Sequence, residues 1–189
     1  MQWERPRPDL AGTARVEARA VDGQLRHARP GDLPQVVAIY NATVASRQVT
    51  ADLQPVSLAS RESWFRAHDA DHRPLWVLEL AGAVVAWLSL SDFYGRPAYD
   101  ATAEVSVYVD TSVRRQGLGA RLLDHALREA PGLGLECLLG FVFAHNEPSL
   151  ALFRGRGFGH WGHLPAVARL DGVARDLVIV GRHLPTGSG

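Results

Sequence analysis

The segment that most constrains this chain runs from Glu104 to Ala120. It reads Glu-Val-Ser-Val-Tyr-Val, then Asp-Thr-Ser-Val-Arg-Arg-Gln-Gly-Leu-Gly-Ala. The first part alternates polar and branched residues, so it predicts a strand with Glu104, Ser106 and Tyr108 on one face and Val105, Val107 and Val109 on the other. The second part is a short loop that opens a helix. The first N–H groups of a helix have no intrahelical acceptor, and with the helix dipole they attract an anion. Gly117 and Gly119 let a ligand come close to the backbone, and Arg114 and Arg115 add positive charge. The segment therefore reads as a pyrophosphate cradle.

The spacing Arg114-x-x-Gly117-x-Gly119 narrows the kind of cradle. A P-loop needs Gly-Lys-Ser/Thr after its glycines, and here Leu118-Gly119-Ala120 follows Gly117. A dinucleotide fingerprint needs a glycine where Leu122 stands.

The rest of the chain supplies a mixed sheet with helices on both sides. Strands are expected over Leu25–Ala28, Leu75–Leu80, Ala83–Leu90, Thr102–Val109, Glu136–Phe143, Phe158–His163 and Arg175–Arg182. Helices are expected after Asp32, a candidate N-cap, after Ser57 and running to about His68–His72, over Gly117–Arg128, and over Pro148–Arg154. Residues 25–184 then form one domain, with a poorly ordered tail over 1–24 and another over 185–189. The 189 residues suit one domain.

Composition removes several functions. Twenty Lys and Arg balance twenty Asp and Glu, so the basic excess of a nucleic-acid binder is lacking. No apolar run is long enough to span a membrane, and no secretory leader is visible. One cysteine, Cys137, excludes an internal disulfide and fits a reducing, cytoplasmic setting. His68 and His72 read as a solvated helix end, and His160 and His163 as flanking a turn, so no metal is expected.

The Arg-x-x-Gly-x-Gly loop resembles that of the GNAT N-acetyltransferases. The run Asp92-Phe-Tyr-Gly-Arg96-Pro-Ala-Tyr99 through Val109, Ala38-Ile-Tyr-Asn41-Ala-Thr-Val44, Gln54-Pro55-Val-Ser57, Trp64-Phe65 and Gly162-His-Leu-Pro165 resemble its phosphinothricin and methionine sulfoximine acetyltransferase branch. The resemblance covers roughly residues 25–183. It implies an α/β GNAT fold: a twisted, mixed, mostly antiparallel sheet of about six or seven strands with about four helices.

The resemblance also implies roles. Acetyl-CoA is the co-substrate. Its pantetheine arm lies along the backbone of Val107, Tyr108 and Val109, its pyrophosphate meets Arg114, Arg115, Gln116, Gly117, Leu118, Gly119 and Ala120, and Asn146 stands near it. Glu104 is the base that takes the proton of the incoming ammonium ion, and backbone N–H groups of Val107–Val109 meet the oxyanion. A tyrosine or histidine acid is replaced by Phe153, so the thiolate leaves unaided or Tyr108 or a water protonates it. Tyr94, Arg96, Glu104, Val105 and Ser106 form the acceptor side, with Arg96 suited to a carboxylate.

Two departures bear on the acceptor. Tyr94 stands where the branch often has Arg, and Arg169–Asp176 lacks a late Trp and carries one extra residue. The expected acceptor is the free α-amine of a small amino acid-like molecule, and the expected assembly a homodimer. Three alternatives stay open: a protein N-terminus or lysine as acceptor, an acyl-CoA-binding module that has lost catalysis, and an ordinary nucleotide-binding protein.

Overall fold

The structure is a computed structural model and describes residues 23–185. The expected tails fall largely outside this span, since residues 1–22 and 186–189 are not described. The elements are β1 Gln24–His27, α1 Leu33–Val44, α2 Leu58–Arg66, β2 Leu75–Leu80, β3 Ala83–Asp92, β4 Thr102–Val109, α3 Leu118–Glu129, β5 Cys137–Phe143, α4 Glu147–Arg154, β6 Gly159–Leu170 and β7 Val173–His183. Seven strands form one sheet in the order β1-β2-β3-β4-β5-β7-β6. Every neighbouring pair is antiparallel except β4–β5, which is parallel.

Local chemistry explains most boundaries. The β2–β3 turn uses Ala81 and Gly82, both at positive φ, as a two-residue hairpin turn of the primed type requires. Asp171-Gly172 does the same between β6 and β7. The Ser57 hydroxyl accepts the Ser60 N–H at 3.1 Å and starts α2. The Asn146 side-chain oxygen, Oδ1, accepts the Ser149 N–H at 3.2 Å and starts α4.

Three expectations need correction. Asp32 precedes α1 but makes no capping bond to it. Its carboxylate turns back to the Arg29 N–H and the Arg26 guanidinium. Helix α2 ends at Arg66, so His68 and His72 lie beyond it. Strand β6 runs on to Leu170 instead of ending near His163, and His160 and His163 lie within it. Pro165 disguised that length. Proline is tolerated in a sheet only at an edge or bulge, and here β6 is the edge strand and its register shifts between Leu164 and Ala168.

The sheet buries both faces. On one, Leu78, Leu88, Leu90, Ala103 and Val105 pack against Leu118, Leu122, Leu123 and Ala126 of α3 and Phe153 of α4. On the other, Leu75, Val77, Val84 and Trp87 pack against Val36 and Ile39 of α1, with Trp64 and Phe65 of α2 alongside. Burying apolar area of this kind is the main favourable contribution to folding. Strand β4 thus sits between two cores, and its alternation decides what each residue meets.

Candidate active site

Strand β4 meets β5 only at its start. The pairs are Thr102 with Cys137, Ala103 with Leu138 and Glu104 with Leu139. Beyond them β4 stays paired with β3 as far as Val109, and β5 stays paired with β7 as far as Phe143. The two strands therefore splay. From Val105 to Val109, β4 has no paired residue on its β5 side. A narrow slot of about 40 Å³ opens there, lined by Val49, Val105, Ser106, Val107, Tyr108, Phe141, Val142, Asn146, Ser149 and Phe153.

A second cavity, of about 280 Å³, lies on the α1–α2 face. Its floor is built of cross-strand pairs, Trp87 with Tyr108, Ser89 with Ser106 and Ser91 with Glu104. Val36, Val37 and Tyr40 of α1, Val56, and Arg61 and Trp64 of α2 form its walls. Trp87 stacks on Tyr108 at 4.3 Å and donates its ring N–H to the Val36 carbonyl at 3.1 Å. Ser106 and Tyr108 line both the cavity and the slot, so the two meet across β4.

Glu104 lies on the cavity side, as the alternation predicts. It makes no hydrogen bond or ion pair with any described residue. Burial pushes its carboxyl above the usual carboxylate range. The Tyr108 hydroxyl is also pushed far up, first by burial, then by Tyr40, Glu104 and Asp52, against a lowering by Arg61. A phenol held so firmly protonated is a weak acid. Phe153 is buried, packs edge-on against Phe158 at 4.9 Å and offers no hydroxyl. Burial raises the Cys137 thiol, which leaves it a poor nucleophile.

At the slot's end, Arg114–Gly117 are exposed, while Leu118 and Gly119 are buried. The first helical bond of α3 runs from the Arg121 N–H to the Gly117 carbonyl at 3.0 Å. The N–H groups of Leu118, Gly119 and Ala120 precede it and have no acceptor within the helix. The two glycines do different work. Gly117 has φ +76 with open space where a Cβ would stand, so the backbone conformation requires it. A Cβ on Gly119 would stand 3.4 Å from Leu152 and 3.5 Å from Val109; this glycine brings α3 close to β4 and α4, and its missing side chain does not face the loop's open side.

The residues present fit acetyl-CoA. An open strand edge can hold amides, three free N–H groups and two arginines can hold a pyrophosphate, and Asn146 lines the slot with its Nδ2 unused by any described residue. Val107, Tyr108 and Val109 stand on that edge. Among the described residues, no group of three or more His, Cys, Asp or Glu is placed to hold a metal ion.

The residues expected on the acceptor side do not all meet at this cavity. Glu104 and Ser106 line the cavity, but the Val105 side chain is turned into the α3 core. Tyr94 and Arg96 do not line it. Tyr94 is 75% exposed and packs on Phe93 and Tyr99, while the Arg96 carbonyl caps the turn at Pro97–Tyr99. The cationic residue in the cavity wall is Arg61, which sequence reasoning placed only as a member of α2. Trp64 and Trp87 also form its wall.

Comparison with known proteins shows the family and agrees with the fold. The model of the acetyltransferase (GNAT) family matches residues 37–158. YwnH of Bacillus subtilis, provisionally named a phosphinothricin acetyltransferase, is 53% identical over 161 residues, 85% of this chain and 98% of its own. The L-methionine sulfoximine/L-methionine sulfone acetyltransferase of Pseudomonas paraeruginosa is 33% identical, over 89% of this chain and 99% of its own. A phosphinothricin acetyltransferase from Sinorhizobium meliloti, solved in complex with acetyl-CoA, superposes with a TM-score of 0.82 at 28% identity, covering 88% of this chain and 90% of that one.

Proposed function

Because this chain belongs to the GNAT family of acetyltransferases, we propose that it moves the acetyl group of acetyl-CoA to the free α-amine of a small amino acid-like acceptor, of the phosphinothricin or methionine sulfoximine kind. The transfer is direct, within a ternary complex. One observation carries this reading: Glu104 stands unpaired in a cavity that shares Ser106 and Tyr108 with the β4–β5 slot. An amine in the cavity and a thioester in the slot would meet at that shared wall, with no need for an acyl-enzyme.

The chemistry follows from the residues. An amine reaches the site as an ammonium ion, which has no lone pair, so a proton must leave before attack. Glu104 is the cavity's carboxylate, and its raised pKa brings its basicity closer to the working pH. As the carbonyl becomes tetrahedral, its oxygen gains charge. Backbone N–H groups on the open edge of Val107–Val109 are the donors for it. The leaving thiolate needs little help, since an ordinary thiol has a pKa near ~8.5. That suits a site in which Phe153 replaces an acid and Tyr108 is a reluctant one.

The same reading includes a cytoplasmic homodimer. The lone cysteine agrees with a reducing compartment, and Trp161, Leu164, Val167 and Val173 expose apolar surface on the β6–β7 hairpin, which a second copy would cover.

The test is thiol release from acetyl-CoA against a panel of free amino acids that includes phosphinothricin and methionine sulfoximine, beside peptides with free N-termini or lysines. Release with the free amino acids alone is expected. Release with the peptides alone would move the acceptor to protein. Tight acetyl-CoA binding with no release would indicate a module without catalysis.

A further inference from the structure

We propose that Arg61 receives the carboxylate of the acceptor, so that this enzyme recognises an α-amino acid from α2 and not from Arg96. The inference rests on the amino acid-like acceptor read above and names the group that selects it.

The guanidinium of Arg61 is fixed at two points. Its Nη2 donates to Oδ2 of Asp52 at 3.1 Å, and its central carbon lies 4.6 Å from the centre of the Tyr40 ring. Asp52 is itself held, since the Tyr40 hydroxyl donates to it at 2.6 Å. Arg has five N–H donors in a planar fork. The bond to Asp52 uses one, and the Nε and Nη1 groups have no partner among the described residues. The fork is therefore oriented yet mostly unspent, on the wall of the same cavity that holds Glu104.

A free α-amino acid carries an ammonium and a carboxylate one carbon apart. The cavity offers the opposite pair of charges, Glu104 and Arg61. Both line the cavity with Tyr108 and act on its hydroxyl, Arg61 lowering its pKa and Glu104 raising it. The serines at 89, 91 and 106 supply neutral polar floor. A guanidinium that already holds one carboxylate can take a second. Arg26 of this chain does so, at 2.7 Å to Asp32 and 2.7 Å to Glu79. Arg96, by contrast, is exposed and lies outside the cavity lining.

The test compares L-methionine sulfone with its α-carboxamide as acceptors, in the intact enzyme and in Arg61→Gln, Arg61→Lys and Arg96→Gln. The intact enzyme should favour the carboxylate. Loss of a charge-assisted pair should lower kcat/KM for L-methionine sulfone by about 10- to 100-fold in Arg61→Gln, mainly through KM, with the KM for acetyl-CoA held. The preference over the carboxamide should collapse in Arg61→Gln, survive in part in Arg61→Lys and persist in Arg96→Gln. Equal use of the two acceptors by the intact enzyme would overturn the inference without any variant. So would a preference that survives Arg61→Gln or disappears with Arg96→Gln. Acetylation of amino acids without this discrimination sinks only the role of Arg61, whereas no acetylation of any free amino acid sinks the acceptor reading beneath it.

Discussion

Replacing Glu104 by Gln removes the proposed base while keeping its shape. The side chain has no hydrogen bond or ion pair among the described residues, so the change breaks no internal contact. It also leaves no substitute. Asp52, a carboxylate bonded to two residues of the cavity wall, is engaged by the Tyr40 hydroxyl and Arg61. The loss should therefore be the full value of a positioned base, about 10²–10⁴ in turnover, or about 2.7–5.4 kcal/mol in barrier. Thiol release followed against pH is the assay. In the intact enzyme kcat/KM should fall as pH drops through the Glu104 pKa, which burial places above the usual carboxylate range. In Glu104→Gln that acidic limb should vanish. Stability should move the other way. A carboxyl whose pKa is raised on folding binds its proton more tightly when folded, so its favourable contribution is present below the unfolded pKa and lost as pH rises through the folded one. At neutral pH the intact protein thus bears the cost of an ionised, half-buried carboxylate, and Glu104→Gln should melt slightly higher. Turnover unchanged in Glu104→Gln, or an acidic limb that persists in it, would refute the assignment.

Other substitutions separate the slot from the cavity. Gly117→Ala places a Cβ in open space but at φ +76, so strain alone should cost about 1–2 kcal/mol in urea unfolding and raise the KM for acetyl-CoA. Gly140→Ala sets a Cβ 3.0 Å from Val180 and 3.1 Å from Phe153. Overpacking should cost about 1–3 kcal/mol, and a displaced Phe153 ring should weaken acetyl-CoA binding measured by calorimetry. Asn146→Ala removes the α4 cap, worth about 1 kcal/mol, and should raise the KM for acetyl-CoA while leaving that of the amine nearly unchanged.

The sequence reveals what local rules govern. The alternation from Glu104 to Val109 places three residues on the cavity side and turns Val105 into the opposite core. Ala81-Gly82 and the loop before Leu118 are equally local, and the observed element order matches the expected one. What escapes is set by distance. Arg61 reaches the cavity because α2 packs over the sheet, and nothing in Leu58–Arg66 says which side of that helix will face β4. Arg96 lies only six residues before the start of β4 yet turns outward, because Phe93, Tyr94 and Tyr99 cluster among themselves and Phe93 with Phe141. Asp32 had the residue type of a cap, but the Arg26 guanidinium competes for it and wins.

A strand suits this chemistry because it offers three directions at once. One face of β4 is spent on the α3 core and the other faces the cavity. The third direction is the backbone edge, which in a sheet is normally consumed by the neighbouring strand. Here β5 withdraws after Glu104. Buried backbone groups left without partners cost about 1–3 kcal/mol each, so the slot is stable only if water or a ligand rich in amides fills it. Pantetheine is such a ligand. On the proposed reading its recognition would depend on main-chain atoms of Val107, Tyr108 and Val109. It follows that substituting Val107 or Val109 should alter stability far more than affinity for acetyl-CoA, whereas closing the splay would abolish both binding and the junction at which Glu104 works.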